Sequence, residues 1–323
     1  MAKQRILTRR LAAALCLALI LAGIGAACSP QPAEPTRIRV AVLPILESLP
    51  MYVADQEGYF AAEGLEVELI PVSSAPERDQ LMQSGQVDAM INEVVSVLFY
   101  NQESPQVVVV RFARVATAQA PLFRILAAKD SGIQSVEELA GAPIGISEGT
   151  VIEYTTDRLL ERAGLAPEQI AKVAVPKIPD RLNLLASGQL QAANLPDPAA
   201  SLAILQGAVP VIDDTTYPEI SHSVISFSRG FVEEHPEAVR GFLRALERAV
   251  EAVNGDKSRW DDLLGQKKLL PPPLRGVYTL PDFPPASVPS PEQFNDALAW
   301  AQGKGLISTD VPYESSVDAS FLP

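Results

Sequence analysis

Hydrophobic and polar positions alternate over residues 38–42 (IRVAV) and again over 65–69 (LEVEL), and between them a helix-length stretch runs over 49–63 to a stop at Gly64. The pattern predicts a strand, a helix and a second strand. A further helix over 77–84, ended by Gly85, leads into an apolar strand over 87–91. Strands alternating with helices predict a parallel α/β sheet. Farther on, Val239, Phe242, Leu243, Leu246, Val250 and Val253 recur at three- and four-residue steps, as in an amphipathic helix packed on a lobe. Residues 294–306 read as another helix with Trp300 on its apolar side. Residues 271–291 hold eight prolines, and Tyr278 and Phe283 give this stretch the anchors of an ordered wrapping segment.

Residues 76–89 (PERDQLMQSGQVDA) and 179–192 (PDRLNLLASGQLQA) share Pro, acid, Arg, Ser-Gly-Gln and Ala positions at a spacing of 103. At that spacing the end of the first strand, Val42-Leu43-Pro44, falls on Gly145-Ile146-Ser147. Each is followed by a helical stretch closed by Gly-Leu, at Gly64-Leu65 and Gly164-Leu165. One unit therefore occurs twice, which predicts two similar lobes joined by crossings within 111–128 and 209–226.

Composition adds compartment and partner. The chain has 323 residues, 47% hydrophobic and 20% charged, as in a globular protein. With 26 Lys+Arg against 39 Asp+Glu the net charge is −13, which argues against nucleic acid as a partner. Basic residues 1–10, an apolar run over 11–24 and Gly25-Ala26-Ala27 before Cys28 have the layout of an export signal. The small residues end on cysteine, so the segment resembles a bacterial lipoprotein signal cleaved before Cys28, although Gly25 stands where such signals usually carry Leu. The other cysteine, Cys16, leaves with the signal, so no pair remains for a disulfide. Residues 29–36 (SPQPAEPT) read as a tether.

Ligands of open α/β sheets sit beyond the carboxyl ends of strands, where helix N-termini offer backbone N–H groups. The repeat places Glu47 and Ser48, Ser73 and Ser74, and Asn92 and Glu93 there in one lobe. Ser147, Gly149, Thr150 and Asp197 stand there in the other, with Tyr154 one turn into the following helix. Ser74, Ser147 and Thr150 also have the chemistry of helix caps. Gly145-Ile146-Ser147-Glu148-Gly149 matches G-x-S-x-G between a strand and a helix, and Asp197 and His222 follow in the order of a hydrolase triad. A serine hydrolase using Ser147 is thus the competing reading, against which no HGGG-like segment precedes the serine. The two histidines, His222 and His235, lack the spacing of a metal site, and there is no phosphate-binding loop or dinucleotide fingerprint.

Pro50-Met51-Tyr52-Val53-Ala54, Gly58-Tyr59-Phe60, Glu63-Gly64-Leu65, Pro76-Glu77-Arg78-Asp79 and Ser84-Gly85-Gln86-Val87-Asp88-Ala89 together resemble solute-binding proteins of ABC importers. Within these they resemble the group that binds aliphatic sulfonates, taurine, nitrate and thiamine pyrimidine precursors. The likeness continues through Ser135-Val136-Glu137-Glu138-Leu139-Ala140-Gly141, Gly188-Gln189 and the helix ending near Val253.

The resemblance implies a two-lobed type II periplasmic-binding-protein fold with two crossings. Lobe 1 would comprise 37–119 and 215–323 and lobe 2 residues 120–214, after a signal over 1–27 and a tether over 28–36. It implies a monomeric, lipid-anchored receptor outside the cytoplasm, without cofactor or catalysis, that hands a small molecule to a membrane permease. A sensory receptor on the same fold is a further alternative. A related branch makes the thiamine pyrimidine enzymatically with a cysteine-rich motif that this sequence lacks. Glu47, Glu93 and Asp197 would put three carboxylates near the ligand, which favours a donor-bearing pyrimidine or vitamin precursor over an unassisted anion.

Overall fold

The computed structural model describes residues 34–323, so the signal segment, Cys28 and most of the tether lie outside the described residues. Five strands form the first sheet: β1 (Thr36–Val42), β2 (Leu65–Pro71), β3 (Ala89–Asn92), β4 (Val107–Val115) and β10 (His222–Ser228). Their order is β2-β1-β3-β10-β4. The second sheet holds β5 (Phe123–Ala127), β6 (Ile144–Ile146), β7 (Lys172–Ala174), β8 (Ala192–Pro196) and β9 (Val209–Asp213), in the order β7-β6-β8-β5-β9. The chain passes from the first sheet to the second between Val115 and Phe123, and back between Asp213 and His222.

The twelve helices of the described chain are α1 (Leu49–Gln56), α2 (Tyr59–Ala62), α3 (Ala75–Gln83), α4 (Val94–Asn101), α5 (Val151–Arg162), α6 (Ile178–Ala186), α7 (Ala199–Leu205), α8 (Arg229–Glu234), α9 (Pro236–Gly255), α10 (Asp261–Gln266), α11 (Pro291–Gly303) and α12 (Tyr313–Ser316).

Each sheet departs from the all-parallel prediction by one strand. β10 runs antiparallel to β3 and β4, and β5 antiparallel to β8 and β9. Both arrive directly from the other sheet, without the helical crossover that a parallel neighbour requires. The helix anticipated over 49–63 is also divided, because Gly58 adopts φ +70°, a left-handed conformation that ends α1 before α2 begins.

The internal repeat is visible atom by atom. α3 and α6 start and stop at the 103-residue spacing, and both end in a left-handed glycine, Gly85 (φ +67°) and Gly188 (φ +72°). Ser84 and Ser187 each donate to the carbonyl three residues back and accept from the amide of Gln86 or Gln189. The apolar stripe of α9 buries Val239, Phe242, Leu243 and Leu246 against α1 and α2, with Phe60 and Phe242 stacked at 5.0 Å. The proline-rich segment is a strap pinned to the first sheet's core by Leu274, Leu280 and Phe283. The Asn254 side chain exchanges two 2.9 Å hydrogen bonds with the Phe283 backbone. Trp300 is core, as is Phe294 on the same helix.

Candidate ligand site

A cavity of about 70 Å³ lies where the carboxyl ends of β1, β3, β6 and β8 meet the starts of β5 and β10. After β1 the chain turns through residues 43–48, a turn held by Ser48 Oγ donating to the Leu43 carbonyl at 2.9 Å. The turn brings Leu43, Ile45 and Glu47 to the wall. β3 ends on Asn92 and is followed by Glu93, while β10 begins with His222 and Ser223. From the second sheet come Ser147 and Thr150 after β6, Pro196 at the end of β8 and Phe123 at the start of β5. Thr150 Oγ1 donates to the Ser147 carbonyl (2.8 Å) and accepts from the Ile152 amide (3.2 Å), so it caps α5 and shapes the loop at once.

Two arginines from the repeated helices complete the wall. Arg78 on α3 donates from Nη1 to Glu93 Oε2 (2.8 Å) and from Nε to Asp79 Oδ1 (2.8 Å). Burial opposes its charge, but Asp79 and Glu93 more than offset this and hold its pKa above the usual arginine value. Arg181 occupies the matching position on α6. Its Nε donates to the Asn194 carbonyl (2.8 Å) and its Nη1 to the Val175 carbonyl (2.7 Å), while Nη2 has no partner. No salt bridge reaches it among the described residues, and burial lowers its pKa to about 10. It remains a cation at neutral pH.

Other wall groups are also unspent. Glu47 Oε2, Ser147 Oγ, His222 Nδ1 and Ser223 Oγ are buried without hydrogen-bond partners in the protein. Burial pushes the Glu47 carboxyl upward, with the nearby Arg114 guanidinium pulling it back. Burial lowers His222 to about 4, so its imidazole is neutral near pH 7.

Of the residues singled out in the sequence, Glu47, Asn92, Glu93, Ser147 and Thr150 share this wall. The rest stand elsewhere for local reasons. Ser48 pins the turn, and Ser73 gives both its amide and its hydroxyl to Glu77 at 2.8 Å. Ser74 caps α3, with Oγ accepting from the Glu77 amide. Gly149 turns the loop at φ +65° and donates its amide to Glu153. Tyr154 faces α11, donating to Asp296 at 2.5 Å and standing edge-on to Trp300. Asp197 accepts from Ser201 (2.6 Å) and from the Tyr278 hydroxyl, outside the cavity.

Two inferences from the sequence change as a result. Glu93 is neutralised by Arg78 and Asp197 is absent from the cavity wall, so the three-carboxylate argument reduces to Glu47. The hydrolase triad is not assembled either: Ser147 Oγ makes no hydrogen bond, His222 Nδ1 has no partner, and Asp197 is engaged by Ser201 and Tyr278. Arg78, Arg181 and Ser223 were not anticipated as wall residues, and His222 was anticipated only as a triad member. The arginine kept in both copies of the repeat was the available signal for the first two.

Two α/β lobes of matching topology, with a largely apolar cavity that carries a few buried polar groups at their facing strand ends, define a periplasmic-binding-protein fold. The alkanesulfonate-binding protein SsuA from Xanthomonas axonopodis pv. citri, solved bound to MOPS, shares it with a TM-score of 0.74 at 20% identity, over 88% of this chain and 99% of that one. The chain belongs to the NMT1/THI5 like family, whose model matches residues 46–256. It is similar to a putative aliphatic sulfonates-binding protein of Escherichia coli, 27% identical over 164 residues, 51% of each chain. It is also similar to the formylaminopyrimidine-binding protein of Halalkalibacterium halodurans, 24% identical over 216 residues, 62% of this chain and 61% of that one. The chain thus spans about half to three-fifths of the length of these curated relatives.

Proposed function

We propose that the protein is the solute-binding component of an ABC importer, exported by residues 1–27, anchored through a lipid on Cys28, and closing its lobes on a small organic molecule. The observation that carries this reading is the distribution of unspent polar atoms. Glu47 Oε2 and Ser223 Oγ lie on the first sheet's side, Arg181 Nη2 and Ser147 Oγ on the second's. Each buried polar group without a partner costs about 1–3 kcal/mol, so a ligand that satisfies both sides favours the closed arrangement by differential affinity. A permease that recognises the closed form would then receive loaded protein selectively. Capture of this kind needs no covalent step.

Arg181 calls for an acceptor or anionic group, and Glu47 for a donor. An aminopyrimidine or an aminosulfonate supplies both, whereas nitrate supplies only the first. The sulfonate-binding and formylaminopyrimidine-binding relatives fit this pair of demands.

The test is thermal unfolding of the protein against pyrimidine precursors, sulfonates, taurine and nitrate. A specific ligand at 100 times its dissociation constant adds about 2.7 kcal/mol of stability. Glu47→Gln and Arg181→Gln should each weaken that ligand. A stabilising ligand indifferent to both substitutions would place the site elsewhere, and a panel without any stabilising compound would count against the importer reading.

A further inference from the structure

A second concavity, a groove of about 650 Å³, runs between the strap, the crossing that follows β4, and α7. It is far roomier than the cavity and shares none of its lining residues. Its charged groups are Arg114, Arg124, Lys257, Asp197 and Asp282. Four of them pair off: Lys257 with Asp282 at 2.7 Å, and Arg124 with Asp197 at 3.7 Å. Arg114 is left over. It is 1% exposed, its Nη2 donates to the Pro121 carbonyl at 3.1 Å, and its Nη1 has no hydrogen-bond partner. Glu47, on the cavity side, is close enough to feel this cation but forms no salt bridge with it among the described residues.

A buried guanidinium whose Nη1 hydrogens find no acceptor is costly, and a carboxylate oxygen delivered to Nη1 would relieve it. Leu274, Val277, Leu280 and Pro121 supply apolar wall beside it. The volume lies in the range of small-molecule sites. We propose that this groove is a second binding site, distinct from the cavity between the sheets, that takes a small organic carboxylate with an apolar body and anchors it on Arg114.

Phenylacetate is the probe, with the uncharged 2-phenylethanol as its control, titrated calorimetrically into the protein. Phenylacetate should bind, 2-phenylethanol at least about tenfold more weakly, and Arg114→Gln should cost about tenfold or more, as expected for a charge-assisted contact. Val277 is 70% exposed on the rim, so its substitution leaves the fold intact. Val277→Glu should weaken phenylacetate and Val277→Lys should tighten it, which keeps the test valid if Arg114→Gln fails to fold. Arg181→Gln should leave phenylacetate binding unchanged, which separates the groove from the cavity. Absence of binding by phenylacetate, equal binding of the alcohol, or loss of binding in Arg181→Gln with silent rim variants would each overturn the proposal.

Discussion

Arg78 and Arg181 are the same residue of the repeat in two electrostatic states. Arg78 Nη1 lies 3.3 Å from the Ile91 carbonyl and Arg181 Nε 2.8 Å from the carbonyl of Asn194, the residue matching Ile91 at the 103-residue spacing. Only the first copy supplies acids, Asp79 and Glu93, where the second has Leu182 and Pro196 at the corresponding spacing. The neutralised copy serves the fold, and the other keeps an unpaired cation in the cavity wall.

The two positions should therefore respond differently to replacement by methionine. Arg78→Met leaves Glu93 buried without its partner and should cost about 3–5 kcal/mol. Arg181→Met strands two backbone carbonyls and no carboxylate, so about 1–2 kcal/mol is expected, with ligand affinity falling at least about tenfold. Urea denaturation and calorimetry check both. Equal destabilisation by the two changes would contradict the assignment.

Gly145 stands where the first copy of the repeat has Val42, and the packing of the second copy gives a steric reason for the change. A Cβ there would stand 2.6 Å from Leu190 Cδ1 and 3.4 Å from Arg181 Cγ. Gly145→Ala should cost about 1–3 kcal/mol through overpacking and should also weaken the ligand by displacing Arg181. The double variant Gly145→Ala/Leu190→Val, which shortens the side chain by one methylene and so withdraws the clashing Cδ1, should recover part of both losses. Circular dichroism melts and ligand titrations of the single and double variants measure this.

Much of the architecture was legible in the sequence because it rests on local signals. Strand alternation, left-handed glycines at helix ends and the repeated Ser-Gly-Gln turn are all short-range. The antiparallel strands β5 and β10 were not legible, because their direction depends on which sheet receives them after a crossing. The site divides along the same line. Glu47, Asn92, Glu93, Ser147 and Thr150 follow from strand ends, whereas Asp197 sits one residue beyond Pro196 and is drawn away by Tyr278, a partner 81 residues distant. Whether Glu93 carries free charge depends on Arg78, fifteen residues earlier, and no count of acids conveys that pairing.

His222 should make stability fall on acidification. In the unfolded chain it protonates near 6.5, and in the fold burial lowers it to about 4. Its contribution is present above pH 6.5 and is lost as pH falls through 4, a difference of about 3 kcal/mol. Asp214 acts in the opposite sense: burial raises it to about 6, so its contribution is present below 3.8 and lost as pH rises through 6. The two therefore mask each other in a single pH profile. The difference between wild type and His222→Gln isolates the histidine and should shift by about 3 kcal/mol in the variant's favour from pH 7 to pH 4. A pH-independent difference in urea denaturation would refute the assignment.

α11 packs on α4 and also reaches α5 beside the second sheet. Trp300 Nε1 donates to Asp157 Oδ2 at 2.9 Å, and the same carboxylate takes Lys172 at 2.9 Å and Lys304 at 2.8 Å. Asp157 is 1% exposed, so these three donors stand where water would otherwise solvate its carboxylate. Trp300→Phe keeps a ring beside Tyr154 but removes one donor from a carboxylate that retains two others, and should cost about 1–3 kcal/mol for the lost charge-assisted bond and the reduced packing. Asp157→Leu removes the acceptor from both lysines and the indole and should cost more, about 3–5 kcal/mol. If Asp157 is the shared anchor, Trp300→Phe should cost less in the Asp157→Leu background than in wild type. Strict additivity in that double-mutant cycle would mean that Trp300 acts by packing alone.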